Sequence, residues 1–238
     1  MIIHTADGGK TWEKQKSPVP FFHMKTYFIS PLKGWIVSEQ THILYTEDGG
    51  KTWSVQFKDQ DFILKSVSFY DDSNGWAVGE YGFIYHTRNG GKTWEMQGGE
   101  YGISAKTGDV EGGNFLFDVV AIDPQTAWAV GIDSYVIKTV NGGKTWQEVS
   151  TGAPKTQLFA VGYDPKTGTL ITGGSGVLVA SQDKGKTWKA TECDPPVIYD
   201  WIYGLSRRGG NGLLAVGGGG LIYLNDGKSP LTWKRLKY

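Results

Sequence analysis

Asp61, Glu80 and Asp133 are the side chains that could carry out hydrolysis if the fold turned them toward one cleft. Two carboxylates so placed cleave glycosides, one protonating the leaving oxygen and the other acting as base or nucleophile. No sequence motif singles these three out. The four histidines, His4, His23, His42 and His86, could hold zinc only by converging on one point. His4 and His86 share a repeat register with Tyr45, Lys138, Ala180 and Leu224, so that position varies and reads as no metal cluster. Cys193 is the single cysteine, which excludes an internal disulfide. It stands between Glu192 and Asp194, whose charges raise a thiol pKa and disfavour a nucleophile. The glycine run at 217–220 has the composition of a phosphate loop, but no helix and no Lys-Ser/Thr follow it, so it reads as a turn. No catalytic residue, metal or cofactor is assigned.

Any such residues would be positioned by a repeat. The motif Thr-x-Asp-Gly-Gly-Lys-Thr-Trp occupies residues 5–12 and returns, with substitutions, at 46–53, 87–94, 139–146 and 181–188, and stretched at 224–233. Its closing tryptophans, Trp12, Trp53, Trp94, Trp146, Trp188 and Trp233, lie 41, 41, 52, 42 and 45 residues apart. A period of this size marks a repeat architecture. Within one repeat, 66–69 alternates like a strand, 71–75 is a turn cluster, 76–79 a second strand, 83–87 a third, 88–92 a turn and 93–97 a fourth. Four short antiparallel strands per repeat are the signature of a propeller blade. Ile2, Ile43, Ile84, Val136, Leu178 and Ile222 fall at one register of the third strands, a column expected to form core between blades.

The fold class is therefore all-β, a β-propeller of four-stranded antiparallel blades, read as one domain over 1–238. Residues 23–58, 62–97, 115–150, 157–192 and 198–238 supply five complete blades, and 2–16 an N-terminal half-blade of a propeller that is six- or seven-bladed when complete. A half-blade leaves a strand edge open, so a native N-terminal part before Met1 is expected, with a two-stranded remnant in a six-position ring or completion by another chain through that edge as the alternatives. The insertion 98–117, rich in glycine, reads as a loop. The 35 glycines suit tight turns; 24 basic and 24 acidic residues cancel, which gives no electrostatic case for nucleic acid. No stretch approaches the ~18 apolar residues of a membrane span.

The third motif position holds Asp7, Asp48, Asn89, Asn141, Asp183 and Asp226. Both residue types accept hydrogen bonds from the backbone of the following turn, and their free exchange argues for a hairpin staple instead of a catalytic carboxylate. This motif resembles the Asp-box, or bacterial neuraminidase repeat. The longer pattern from Gly75-Trp76-Ala77-Val78-Gly79 through Gly90-Gly91-Lys92-Thr93-Trp94 resembles the photosystem II stability/assembly factor family over essentially the whole chain. That resemblance implies a propeller scaffold; the photosynthetic members are seven-bladed, reside in the thylakoid lumen and are associated with a basic surface patch. The arginines here are Arg88, Arg207, Arg208 and Arg235. They do not build the arginine cluster a sialidase needs for its substrate carboxylate.

In a propeller the loops opposite the boxed hairpins share one face, and there the repeats stop agreeing. Phe21, Phe22, His23, Glu39, Asp61, Phe62, Glu80, Tyr81, Tyr101, Asp133, Tyr135, Tyr199, Asp200 and Trp201 are the candidate partner-binding residues. Irregular, aromatic-rich loops on a rigid scaffold are where binding concentrates. The functional expectation is a non-enzymatic scaffold for protein partners, assembly- or stability-factor-like, in an exported compartment. A glycan-binding or glycoside-hydrolysing propeller is the alternative.

Overall fold

The structure, a computed structural model, describes residues 1–198, 200–207, 212–225 and 227–236. The chain is an all-β propeller that forms two compact units, Met1–Gly113 and Asn114–Tyr238. In the first unit, β1 (Ile2–His4) pairs with β2 (Glu13–Gln15). Four-stranded antiparallel sheets follow: β3 (His23–Phe28), β4 (Gly34–Ser38), β5 (Ile43–Thr46) and β6 (Ser54–Phe57), then β7 (Leu64–Phe69), β8 (Gly75–Gly79), β9 (Ile84–Thr87) and β10 (Glu95–Gly98). Inside the insertion, β11 (Tyr101–Ile103) and β12 (Val110–Gly112) make a two-stranded hairpin, so the segment expected as loop carries its own backbone pairing.

The second unit holds two more such sheets: β13 (Leu116–Ala121), β14 (Ala127–Gly131), β15 (Val136–Thr139) and β16 (Gln147–Glu148), then β17 (Leu158–Asp164), β18 (Thr169–Gly174), β19 (Val177–Ser181) and β20 (Lys189–Ala190). Its last sheet has five strands in the order β21 (Glu192–Asp194), β25 (Thr232–Arg235), β24 (Ile222–Leu224), β23 (Leu213–Gly217), β22 (Ile202–Arg207). The extra strand β21 pairs parallel to β25 and covers what would otherwise be an open edge.

Second strands explain the stacking. Every residue of β4, β8, β14 and β18 is buried. Strands buried on both sides read as continuous small and apolar runs such as Gly-Trp-Ala-Val-Gly, not as an alternation. In the first unit, Ile2 packs with Ile36, Leu44 and Trp53, and Trp35, Val37 and Ile43 pack with Val67, Phe69 and Tyr85. In the second, Trp128, Val130 and Val136 meet Val161, Leu170 and Val179, and Ile171 and Leu178 meet Ile202, Ala215 and Trp233. Five members of the third-strand column are buried and Ile222 is half-buried.

One irregularity recurs at the same place in each first strand. Pairing with the second strand slips across Met24, Lys65, Phe117, Phe159 and Tyr203. Each is a bulged residue, and a bulge re-aims its side chain out of the sheet's alternation.

Candidate functional site

The boxed hairpins join third to fourth strands. In the second box, Thr52 N donates to Asp48 Oδ1 at 2.9 Å, Thr52 Oγ1 donates to Asp48 Oδ2 at 2.6 Å, and Thr46 Oγ1 accepts Gly50 N at 2.8 Å. Asn89 keeps this geometry by reversing one donor: its Nδ2 donates to Thr93 Oγ1 at 2.8 Å while Oδ1 accepts Thr93 N at 2.9 Å. Asn141 does likewise, which is the physical reason Asp and Asn exchange. Hydrogen bonds from Thr11 and Thr52 hold the Asp7 and Asp48 carboxyls down at about 2, and those from Thr187 and Ser181 depress Asp183 as well. Asn89→Ala should therefore cost about 1–2 kcal/mol, with Asn89→Asp near neutral, measured as urea midpoints at pH 7.

In the stretched sixth box Asp226 lies outside the described residues. Its neighbour Asn225, buried, performs the stapling: Oδ1 accepts Gly227 N at 2.9 Å and Nδ2 donates to Thr232 O at 2.9 Å. The box tryptophans differ in depth. Trp233 is fully buried, Trp53 is buried with Nε1 on Gln15 Oε1, and Trp94, Trp146 and Trp188 are half-buried. Trp12 is exposed but still donates to Gly9 O at 3.0 Å.

At the other end of the strands, each second-to-third-strand turn is latched to the residue before its own first strand. Glu39 N donates to Phe22 O, Glu80 N to Ile63 O, Ile132 N to Phe115 O, Ser175 N to Gln157 O and Gly218 N to Trp201 O, all at 3.0–3.1 Å. Side chains of candidate binding residues join these latches. Glu39 Oε2 accepts Phe22 N at 3.2 Å, and Glu80 Oε2 accepts Ile63 N at 3.1 Å while Glu80 Oε1 stands 3.6 Å from Lys65 Nζ. Both glutamates hold the start of a first strand. His23 is tied by Ser38 Oγ at 2.7 Å and Ser17 Oγ at 3.0 Å, and burial lowers its pKa.

Phe62, expected at the surface, is buried: it stacks on Phe83 at 4.4 Å and meets Tyr81 and Tyr101 edge-on. Tyr81 has φ 53°, a left-handed conformation disfavoured for a bulky side chain. The insertion hairpin explains it, since Tyr81 O accepts Glu100 N at 3.1 Å and its ring packs on Tyr101. Tyr81 is the post on which the hairpin docks. Asp61 is exposed and borders an open depression with Phe21, Gln40, His42, Lys58 and Asp59. Phe22 is 76% exposed. Asp133 is paired with Lys155 at 3.0 Å, burial raises Tyr135, and Asp200 O accepts Gly176 N at 2.8 Å. Tyr199 lies outside the described residues. Burial, not the flanking acids, is what raises the Cys193 thiol.

Reading the loops missed the bulges. In the second unit the bulged residues are all aromatic and form a row: Phe117 to Phe159 at 5.3 Å between ring centroids, Phe159 to Tyr203 at 4.9 Å, Tyr203 to Trp201 at 6.1 Å. Tyr203 is 57% exposed and Trp201 42%, while Phe117 and Phe159 are half-buried. Large rings held in register by backbone bulges on three neighbouring sheets form a rigid apolar strip open to solvent.

His86 is the contrasting buried group. Its ring stacks on Trp76 at 4.2 Å, Nδ1 faces Gln97 Nε2 at 3.1 Å, and burial, with some help from Arg88, pulls its pKa down to about 4. The unfolded chain, with an ordinary histidine near 6.5, takes up the proton first. His86 thus leaves stability intact above about pH 6.5 and removes about 2 kcal/mol, after solvent screening, as pH falls from there toward 4. Urea midpoints across this window should flatten in His86→Tyr, the residue type at Tyr45 in the same register.

Comparison with known proteins fits this geometry. Residues 10–101 match the family model for photosynthesis system II assembly factor YCF48. The chain is an Asp-box propeller resembling that family. None of the curated proteins matches it. Among solved structures, YCF48 bound to D1 peptide superposes with a TM-score of 0.64 at 20% identity, covering 91% of this chain and 67% of that one. YCF48 from Cyanidioschyzon merolae gives 0.64 at 19%, covering 94% and 74%. An ancestral GH74 enzyme gives 0.65 at 14%, but only 31% of its length is covered. At these identities the likeness is one of fold.

Proposed function

We propose that the protein is a non-enzymatic propeller scaffold that binds a protein partner, in the manner of an assembly or stability factor. The observation that carries this reading is the aromatic row in which Phe117, Phe159 and Tyr203 are held on bulges at the end of the strands opposite the boxes, with Trp201 beside Tyr203. Aromatic rings locked by the scaffold give contact area at small entropic cost, which is the character of interface anchors. Support comes from the matched family model and from the capture of YCF48, a protein of this fold, with a D1 peptide. Glycoside hydrolysis has less in its favour, because Glu80 is committed to the Ile63 amide and Lys65. The test is site-specific photo-crosslinking in cells of the native source, with the photoreactive residue at Phe159 or Tyr203 and, as control, at the box lysines Lys51 or Lys144. A discrete crosslinked protein from the row positions alone is the expected outcome. Crosslinks from the box positions alone would overturn the reading.

A further inference from the structure

We propose that a cavity in the second unit, between the sheet β13–β16 and the sheet β17–β20 at their boxed ends, binds a small oxyanion carried on a flat apolar body, of the aromatic carboxylate type. The first unit shows what normally fills this position. There Trp35 of β4 stacks on Phe69 of the next sheet at 3.6 Å between centroids and 14° between planes, with Tyr45 against it at 5.4 Å. Counted from the bulges and the strand registers, Trp128 takes the place of Trp35, Tyr163 that of Phe69 and Lys138 that of Tyr45. The stack is gone. Lys138 Nζ lies 5.4 Å from the Trp128 ring centroid, Trp188 meets the indole edge-on at 5.8 Å, and a cavity of about 380 Å³ lined by Trp128 and Tyr163 opens.

Its lining is cationic and apolar. Trp128, Ile122 and Val140 supply the apolar wall, Tyr163 a hydroxyl, and Lys138 and Lys184 two ammonium groups. The acid on the rim, Asp123, is already engaged: its Oδ1 accepts Gln125 N at 2.8 Å and Thr126 N at 2.9 Å. Among the described residues neither lysine is ion-paired. Two ammonium groups against one carboxylate leave the lining net positive, which favours an anion, and the wall behind them favours one with an apolar body.

Lys184 adds a second, independent observation. The corresponding box positions are Gly8, Gly49, Gly90 and Gly142, with φ between 69° and 75°. Lys184 adopts φ 60° at the same place, a conformation that glycine takes without strain and lysine does not. The fifth box therefore gives up backbone ease to set an ammonium at this cavity, and backbone strain retained at a pocket points to use.

The test follows titration of the full chain with benzoate by the methyl and indole NMR signals of Ile122, Val140 and Trp128. Benzyl alcohol serves as the neutral isostere and inorganic phosphate as the bare anion. Benzoate should shift these signals, with benzyl alcohol and phosphate each about tenfold weaker or more. Lys184→Gly should weaken benzoate about tenfold while raising Tm, because it restores the residue of the other boxes. Lys138→Gln, a second variant, should weaken benzoate at similar Tm. The proposal is overturned if benzoate leaves these signals in place, if benzyl alcohol binds equally well, if phosphate binds equally well, or if Lys184→Gly binds benzoate as the parent does.

Discussion

Gly131→Ala should destabilise the protein by about 4 kcal/mol, a large part of the ~5–15 kcal/mol that holds a domain of ordinary stability. Gly131 is extended, with φ −160°, so the left-handed argument for glycine does not apply. The reason is contact: a Cβ built on it would lie 1.9 Å from Phe115 O, a backbone atom that cannot rotate aside. That carbonyl accepts the Ile132 amide and so latches the β14–β15 turn. The same clash awaits Gly79 against Ile63 O, Gly174 against Gln157 O and Gly217 against Trp201 O, at 1.8–2.2 Å. β4 ends instead on Ser38, whose hydroxyl bonds His23, so that sheet carries a Cβ at this place. Moving the Phe115 carbonyl would also displace the bulge at Phe117 two residues later, and with it one end of the aromatic row. Gly102→Ala, where the Cβ meets nothing within 4 Å, is the control and should change the urea midpoint little.

Trp35→Ala should cost about 3–5 kcal/mol by the same measurement. The indole is 1% exposed and sandwiched between Phe69 and Tyr45, so truncation opens a large void that flanking strands cannot close. It also removes a hydrogen bond, Nε1 to Gln56 Oε1 at 3.1 Å, from a side chain whose Nε2 reaches Gly90 O in the next box at 3.0 Å. Gln56 thus ties a second strand to a fourth strand and to the neighbouring sheet's hairpin. Trp35→Phe keeps much of the volume but not that bond, and should cost about 1–2 kcal/mol.

The propeller was legible in the sequence because its signals are local. The box repeats visibly, the Asp/Asn exchange reports hydrogen bonding to a turn, and the buried second strands advertise themselves as Gly-Trp-Ala-Val-Gly. Other features depended on contacts that no local pattern records. The hairpin β11–β12 is stabilised by docking on Tyr81, and β21 pairs with a strand some forty residues later in the chain, roughly one repeat away. The hydrogen bonds that Glu39 and Glu80 accept from Phe22 and Ile63 reach 17 residues back along the chain, which no local pattern records.

The aromatic row did leave a trace. Leu116-Phe117, Leu158-Phe159 and Ile202-Tyr203 each begin a first strand with two large apolar residues in succession, which breaks the alternation of a half-buried strand. Two neighbours of that kind cannot both face the core unless a bulge turns one away, and the structure has a bulge at each. In the first unit the bulged positions hold Met24 and Lys65, so the row is particular to the second unit.

The central claim, that these rings anchor a protein partner, is tested most directly by substituting the two most exposed of them together. Trp201→Ser with Tyr203→Ser, in chain carrying the photoreactive residue at Phe159, should cut the yield of the crosslinked partner about tenfold or more while Tm stays close to that of the parent. An undiminished crosslink in the folded double variant would contradict the account.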